Sequence, residues 1–545
     1  MSPPNEVTLQ SQIPYIARTS DSTSTQTSSS SSTNTAIPSF RAENRALAPS
    51  MSAFEADDIT ESRTLGNIQV EAPMIDLCFE RFDRYFSPLI PILSSQQSPN
   101  QTYFECPLKF WVLLTIGSRK CLEDPTLFST LSPHVETLAM TSLCLSRSSP
   151  YPIIEGLLLM CTWHLSTDRP FFRNIYCGLI GAVVTLTLHA GMHQCSSLQG
   201  VVSGAASEAV RGSIDVARGT KLWAYAVISN QSTMAVHGYP INDLLGSRHL
   251  VRGHKCCATL PSWIMRQGRC IAVITRMHGV VSELELETDL KSRSRVLRSL
   301  ITAFEAELLE LDSYVESQGP LSKVDFAIAR LQVLSFGFLT AQNDLDRIHI
   351  IQLSEAAILT MEAIRELETT VQISLYCPNY IFQGILLAAC TLLKLFKSYP
   401  PKTFNEKEHT SALFLAINMF KNISVVNNDI PAKVSGFLTQ LWSSPMVYRE
   451  ADGGYIQSLQ VENRLTMSVV FDCLWWWRKL FADWLNEQPV QSHSNYMTLG
   501  LSQNPEDFFD DSWNWDIDWG AIGSLGSQAL SFDESDQSPY NVARE

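Results

Sequence analysis

Apolar residues recur at spacings of three and four positions through almost the whole stretch from Val70 to Leu485. This spacing places them on one face of an α-helix, whereas a half-buried strand needs strict alternation. Alternating runs bounded by turn residues are almost absent. The pattern therefore predicts an all-α, multi-helix body over residues 67–487. Its main predicted helices are 74–86, 155–165, 208–236, 266–287, 291–315, 323–344, 352–368, 379–397, 406–422 and 465–485.

One predicted helix carries a longer three-four stripe, which suits either a coiled coil or a bundle. Its members are Leu297, Ile301, Phe304, Leu308, Leu311 and Val315. A coiled-coil seam has this spacing but normally continues for more heptads. The inner face of a bundle helix has it as well. We therefore expect an inner face, and a homodimer through this stripe remains the alternative.

Composition separates the ends of the chain from this body. The 545 residues are 45% hydrophobic and 17% charged, which is typical of globular rather than disordered proteins. Residues 1–66 differ, because 19–35 are almost wholly Ser and Thr and cannot bury a core. We predict a disordered head over 1–66. The net charge of -15 gives no sign of direct nucleic-acid binding.

The acidity is concentrated at the carboxyl end, in a predicted tail over residues 488–545. Residues 505–545 hold ten carboxylates and one arginine, so they contribute -9 of the -15. Within them, large apolar side chains alternate with acids, and repulsion among the acids keeps the apolar groups available to a partner. This composition predicts an activation segment that binds coactivator or mediator-type proteins; the alternative is a strap over the body. The partner-binding residues are Phe508, Phe509, Trp513, Trp515, Ile517 and Trp519.

Cysteine usage and hydropathy indicate the cellular compartment in which the protein resides. The 13 cysteines are an odd number and lie mostly in apolar segments, and the start lacks a basic region followed by an apolar one. Both observations favour reduced thiols in the cytosol or nucleus. No unbroken apolar run reaches about 20 residues, and the nearest approach, 175–188, reads as a buried helix. The sequence thus predicts no membrane association.

No catalytic or metal-binding motif is present. Glycine-rich phosphate loops, nucleophile elbows, HExxH and CxxC pairs are all missing, so the sequence does not predict an enzyme or a metal site. His189, His193 and Cys195 lack a further ligand, as do His254, Cys256 and Cys257. Trp475, Trp476 and Trp477 are expected to pack against the body. A helical enzyme such as a terpenoid cyclase would need an aspartate-rich helix, but Asp57-Asp58 and Asp510-Asp511 fall in the head and tail. A scaffold without a DNA role is the further alternative.

Several short stretches follow one another in a fixed order between residues 75 and 245. They are 75–82, 85–93, 110–119, 124–127, 157–163, 188–193, 218–223 and 238–240. Together they resemble the middle homology region of fungal binuclear zinc-cluster transcription factors. The likeness is greatest to the branch that regulates leucine biosynthesis and weak-acid resistance, and it covers roughly residues 70–485.

This resemblance implies a nuclear transcription regulator with an all-α regulatory domain that responds to a metabolite or silences the activator. It also implies an activation domain where the acidic tail lies. Members of the family begin with a six-cysteine cluster that binds two zinc ions, but residues 1–77 contain no cysteine. Zinc is therefore expected only if such a cluster precedes these residues. DNA contact is expected through that missing cluster or through a partner protein.

Overall fold

The computed structural model describes residues 59–93, 98–145, 149–165, 175–193, 206–239, 241, 260–284, 290–312, 319–340, 347–400 and 404–486. These residues form an almost wholly helical body, as the periodicity predicts. The predicted tail, the Ser/Thr tract, Cys195 and the 254–257 cluster lie outside the described residues.

The described part of the chain contains sixteen α-helices and one hairpin, together with a π-helical turn at Phe82–Phe86 and short 3-10 turns. The helices are α1 Ala72–Arg81, α2 Pro99–Glu105, α3 Pro107–Gly117, α4 Leu127–Leu145, α5 Pro150–Thr162, α6 Ile175–His189, α7 Ala206–His237, α8 Ser262–Leu284, α9 Leu290–Asp312, α10 Pro320–Ser335, α11 Arg347–Val371, α12 Ile373–Tyr376, α13 Asn379–Ser398, α14 Glu406–Ile423, α15 Ile430–Ser443 and α16 Ser468–Asn486. The strands are β1 Arg63–Leu65 and β2 Ile68–Val70.

The hairpin corrects the boundary of the predicted head, because residues 59–66 are ordered structure. Leu65 pairs with Ile68, so Gly66 and Asn67 form a two-residue turn. Gly66 has φ +61°, which glycine adopts without steric cost at the first position of such a turn. Asn100 fixes the approach to the hairpin, since its side chain donates to the Ile59 carbonyl and accepts from the Glu61 amide.

Helix α3 is the centre of the amino-terminal half. Residues 108–117 are all buried, and the helix packs against α1, α2, α4 and α5. Gly117 lies where α3 crosses α1: a Cβ at this position would fall on the Cys78 carbonyl, far inside van der Waals contact. Glycine at 117 therefore sets how closely the two helices approach.

A buried ionic network ties this central helix to its neighbours. Lys109 Nζ lies 3.0 Å from Glu155 Oε2 of α5 and 3.3 Å from Glu105 Oε2 of α2. Arg218 of α7 donates from Nε to Glu155 Oε1 over 2.7 Å. Two cations and two carboxylates thus neutralise one another inside the fold, which is the condition for burying charge without a large penalty.

Helix α13 is the centre of the carboxyl-terminal half and packs against α10, α11, α14 and α16. Among the described helices, it is long and apolar enough to cross a membrane, but 89% of its most apolar 18-residue window is buried within the protein. A search for unbroken apolar runs misses it because Gln383, Lys394 and Lys397 interrupt the run. We interpret it as a core helix.

Lys394 of α13 is itself fully buried and forms an ion pair with Asp472 of α16, with 3.3 Å between Nζ and Oδ2. Its ammonium also donates to the Ser458 carbonyl over 2.7 Å and lies 3.9 Å from the centre of the Tyr448 ring. Asp472 Oδ1 accepts from the Gln460 amide. The pair therefore fixes the irregular segment 446–461 to the core.

The three-four stripe of α9 faces inward. Leu297, Ile301 and Leu308 are at most 1% exposed, and Phe304 and Leu311 pack against the same core. The stripe is thus the inner face of a bundle helix, as expected, and it offers no exposed seam for a homodimer. Val315 lies outside the described residues.

Several boundaries differ from the prediction. The helix expected over 323–344 ends at Ser335 and tightens into a 3-10 turn at Phe336–Leu339. Helices α2 and α15 are absent from the prediction, although each has an N-cap signal. Ser98 accepts from the Gln101 amide and Asp429 from the Ala432 amide, and each helix has proline in its first turn.

Candidate functional site

A cavity of about 90 Å³ lies among helices α5, α7, α8, α10 and α13. It is large enough for several waters or one small ligand. Its walls are mixed, because aliphatic side chains alternate with amides, hydroxyls and one carboxylate. The polar residues around it are Thr162, Tyr225, Ser229, Ser232, Thr233, Gln267, Asp325, Gln332, Asn379 and Tyr380.

Asp325 supplies the one carboxylate among the described lining residues. Arg266 donates to its Oδ2 from Nε over 3.1 Å and from the terminal nitrogen over 2.9 Å. Gln267 donates to Oδ1 over 3.3 Å. Burial raises the pKa of Asp325, and the Arg266 guanidinium opposes that shift. The carboxylate is therefore held by fixed donors on α8 and can accept a further hydrogen bond.

Two phenols face the same space. The hydroxyls of Tyr225 and Thr162 lie 3.0 Å apart. The Tyr380 hydroxyl lies near the Asp325 carboxylate, but it makes no hydrogen bond of normal geometry with any described residue. Burial raises the pKa of Tyr225 to about 12 and that of Tyr380 well above its usual value. Both phenols are therefore neutral at physiological pH, and the Tyr380 hydroxyl lies beside the Asp325 carboxylate on the cavity wall.

This arrangement suits recognition rather than reaction. Cys161 lines the cavity, but burial raises the pKa of its thiol, and the thiolate is the reactive form. The phenols are likewise held neutral. The described walls thus offer hydrogen-bond donors and acceptors at fixed positions, a combination that is typical of ligand pockets.

The cavity cannot be located from the sequence alone. The pairing of Arg266 with Asp325 joins residues that are 59 positions apart. The available signal is a carboxylate flanked by apolar residues, since Asp325 follows Val324 and precedes Phe326. A buried polar residue of this kind needs a partner, so Asp325 alone indicates a polar site without locating it.

The structure places some of the other candidate residues. Trp476 and Trp477 are buried in the core, as expected, and Trp477 Nε1 donates to Gln440 Oε1 over 2.7 Å.

His189 ends α6, and His193 lies in the turn that follows. Among the described residues, no three His, Cys, Asp or Glu side chains come together as a metal site. The nine cysteines whose side chains the structure describes are free thiols. The tail residues Phe508 to Trp519 are outside the described part.

Comparison with known proteins connects the chain to fungal regulators. It is 22% identical over 432 residues to "Putative transcription factor SEF1" of Eremothecium gossypii, and 21% identical over 478 residues to "Regulatory protein LEU3" of Saccharomyces cerevisiae. A second SEF1, from Kluyveromyces lactis, is 23% identical over 435 residues. Each alignment covers 75% or 76% of this chain and between 37% and 52% of the relative.

These relatives confirm the resemblance to fungal transcription regulators and are named as regulators rather than enzymes. No family model and no solved structure matches the chain. The alignments do not bear on a zinc cluster. The chain spans about half or less of the length of these relatives.

Proposed function

We propose that this chain, a relative of fungal transcription regulators, controls transcription through an acidic segment that is governed by its helical body. The similarity of three quarters of the chain to named transcription regulators carries the proposal. The division into a head, a helical regulatory domain that includes the hairpin from residue 63, and a tail over 488–545 is part of it. The protein acts in the nucleus on genes that RNA polymerase II transcribes.

The tail supplies the recruiting surface. Phe508, Phe509 and Trp513 stand among carboxylates, a composition that suits weak, exchangeable binding to a groove with a basic rim. Coactivator or mediator-type proteins are partners of this kind. DNA contact comes from a zinc cluster beyond these residues or from a partner protein, and zinc belongs to the protein only in the first case.

The cavity supplies the regulatory input. It is lined by helices from both halves of the body, namely α5, α7, α8, α10 and α13. A ligand held by Asp325 and Tyr380 would stabilise the arrangement of these helices relative to others. We therefore assign the metabolite effector of this regulator to this cavity.

The tail is tested by tethering residues 488–545 to an unrelated DNA-binding domain in yeast. We expect reporter activation, and we expect the triple substitution Phe509→Ala, Trp513→Ala and Trp519→Ala to reduce it by at least about tenfold, because aromatic anchors dominate such interfaces. Ser531→Ala, Ser535→Ala and Ser538→Ala together serve as the matched control. An active aromatic variant would remove the assignment of these residues.

The cavity is tested on the purified full chain by thermal unfolding with a panel of small hydroxylated and carboxylated metabolites. We expect at least one compound to raise the unfolding midpoint saturably, since a ligand that binds the folded state stabilises it. Tyr380→Phe should weaken that response at least about fivefold in apparent affinity, because the hydroxyl belongs to a residue that lines the cavity beside Asp325. Tyr399→Phe is the control: its hydroxyl is also buried without a partner, but it does not line the cavity. If no compound acts, or if both variants respond like the wild type, the cavity is not the effector site.

A further inference from the structure

A thiol near the start of α6 contacts an imidazole at the end of α7. Cys177 Sγ lies 3.3 Å from His237 Nε2 and 3.7 Å from His237 Nδ1. Nδ1 lies 2.7 Å from the Thr233 carbonyl oxygen, which can only accept a hydrogen bond, so Nδ1 carries the ring hydrogen. Nε2 is therefore the acceptor for the S–H of Cys177. A nucleophile, a base within its reach and a group that orients the base together form an activated thiol.

The Cys177 thiol lies beside an open strip of the α6 surface. Of the nine cysteines whose side chains the structure describes, only Cys161 and Cys177 are half-buried rather than buried. A helical side chain leans over the turn that precedes it, so a larger residue at Gly181 would cover Cys177. A Cβ added at Gly178 or Gly181 meets no atom of the described residues within 4 Å. A small molecule can therefore approach the sulfur across these glycines.

An exposed aromatic ring lies next to the imidazole. The Tyr239 ring stacks on His237, with ring centres 5.6 Å apart and planes 20° apart, and Tyr239 is 37% exposed. An aromatic face of this kind favours flat, conjugated molecules, which stack on it with an offset. The surroundings of the thiol thus suit a planar, unsaturated partner.

The resting thiol is protonated, because burial raises the pKa of Cys177 to about 11. Attack on an electrophile therefore needs a base that takes the S–H proton while the new bond forms, and His237 Nε2 is placed to do so. The Cys161 thiol is the matched comparison. In the part of the chain that the structure describes, it has no imidazole or carboxylate within hydrogen-bond distance, and burial raises its pKa as well.

We propose that Cys177 is a modification site for electrophilic small molecules of the α,β-unsaturated carbonyl class. Cys177 Sγ forms a bond to the β-carbon while His237 Nε2 takes the thiol proton, and the electron pair of the C=C bond moves towards the carbonyl oxygen. The proton then passes from Nε2 to the α-carbon. The product is a thioether, no group leaves and no oxidant is needed. The inference is independent of the proposed function, because neither residue belongs to the tail or lines the cavity.

Cys177 and His237 do not form a metal site. A zinc site needs at least three protein ligands. Among the described residues, no third His, Cys, Asp or Glu side chain joins these two. The contact is therefore assigned to thiol chemistry rather than to metal binding.

The test is the rate of labelling of the purified full chain by N-ethylmaleimide, a planar unsaturated imide, followed at each cysteine by peptide mass spectrometry. At pH 7.5 we expect Cys177 to react at least about tenfold faster than Cys161, because base assistance typically contributes this much or more. His237→Gln keeps a hydrogen-bonding side chain but cannot take the proton. It should slow labelling of Cys177 at least about tenfold and leave Cys161 unchanged.

The pH dependence of the wild-type rates tests the role of His237 without a substitution. A thiol that reacts as free thiolate gains about tenfold in rate per pH unit below its pKa, so Cys161 should gain about tenfold between pH 7.5 and 8.5. An ordinary imidazole is already neutral over this range, so Cys177 should gain less than about threefold. Equal rates at the two cysteines, a tenfold gain at Cys177 or an unchanged rate in a folded His237→Gln variant would each overturn the proposal. If circular dichroism shows that His237→Gln does not fold, the wild-type pH profile decides alone.

Discussion

Gly117→Ala is expected to lower the free energy of unfolding of the body by about 3 kcal/mol or more. The added methyl group would fall on the Cys78 carbonyl, and both partners are parts of rigid helices, so α1 and α3 would have to move apart. Overpacking that displaces backbone is costly because interiors are close-packed. The measurement is urea unfolding of the purified full chain, followed by circular dichroism.

Gly178→Ala is the matched control for that experiment. Gly178 is also inside a helix, α6, but an added Cβ there meets no atom within 4 Å. Alanine restricts the unfolded chain more than glycine does, so we expect this change to stabilise by about 0.5–1 kcal/mol. Equal unfolding midpoints for the two variants would show that the close approach of α1 and α3 is not rigid.

Lys394→Met is expected to destabilise the body by about 3–5 kcal/mol. The substitution preserves much of the volume but leaves the Asp472 carboxylate buried without its counter-ion. Lys323→Met is the control, because the Lys323–Glu366 pair is nearly half exposed and such surface pairs contribute less than about 1 kcal/mol. The measurement is again urea unfolding, now repeated from pH 7 to pH 5.

The pH series tests whether the charge on Asp472 causes the loss of stability in Lys394→Met. Burial already raises the pKa of Asp472, and Lys394 opposes that rise, so Lys394→Met raises the pKa further. A carboxyl whose pKa is higher in the folded than in the unfolded chain binds an extra proton on folding, so stability is lost as the pH rises through that pKa. The penalty of Lys394→Met should therefore shrink as the pH falls. A penalty that is constant with pH would contradict a charged Asp472 as its cause.

The sequence predicts the helices whose apolar residues, at spacings of three and four, lie on one face. Leu297, Ile301 and Leu308 are buried as their spacing indicates, and the long helices agree to within about five residues at each end, except that the helix predicted over 323–344 ends at Ser335. Helix α4 is missed because Pro133 lies inside it, and a proline within a segment normally argues against a continuous helix. The hairpin at 63–70 is missed because three-residue strands are too short to show alternation.

The cavity could not be predicted, because it depends on residues that only the tertiary fold brings together. Arg266 and Asp325 come from different helices, α8 and α10. Helical periodicity reports which face of an element is apolar, but not which elements meet. The predicted activation residues depend on composition alone, and they stay a prediction.

Helix α13 takes part in both the cavity and the buried ion pair. Asn379 and Tyr380 at its start line the cavity, and Lys394 near its end pairs with Asp472 of α16. At about 1.5 Å per residue, Tyr380 and Lys394 are roughly 20 Å apart along the helix. A ligand that displaced the start of α13 would therefore pull on a buried charge pair at the far end, and separating such a pair is costly. The cavity should accordingly accept a ligand without a rigid-body shift of α13.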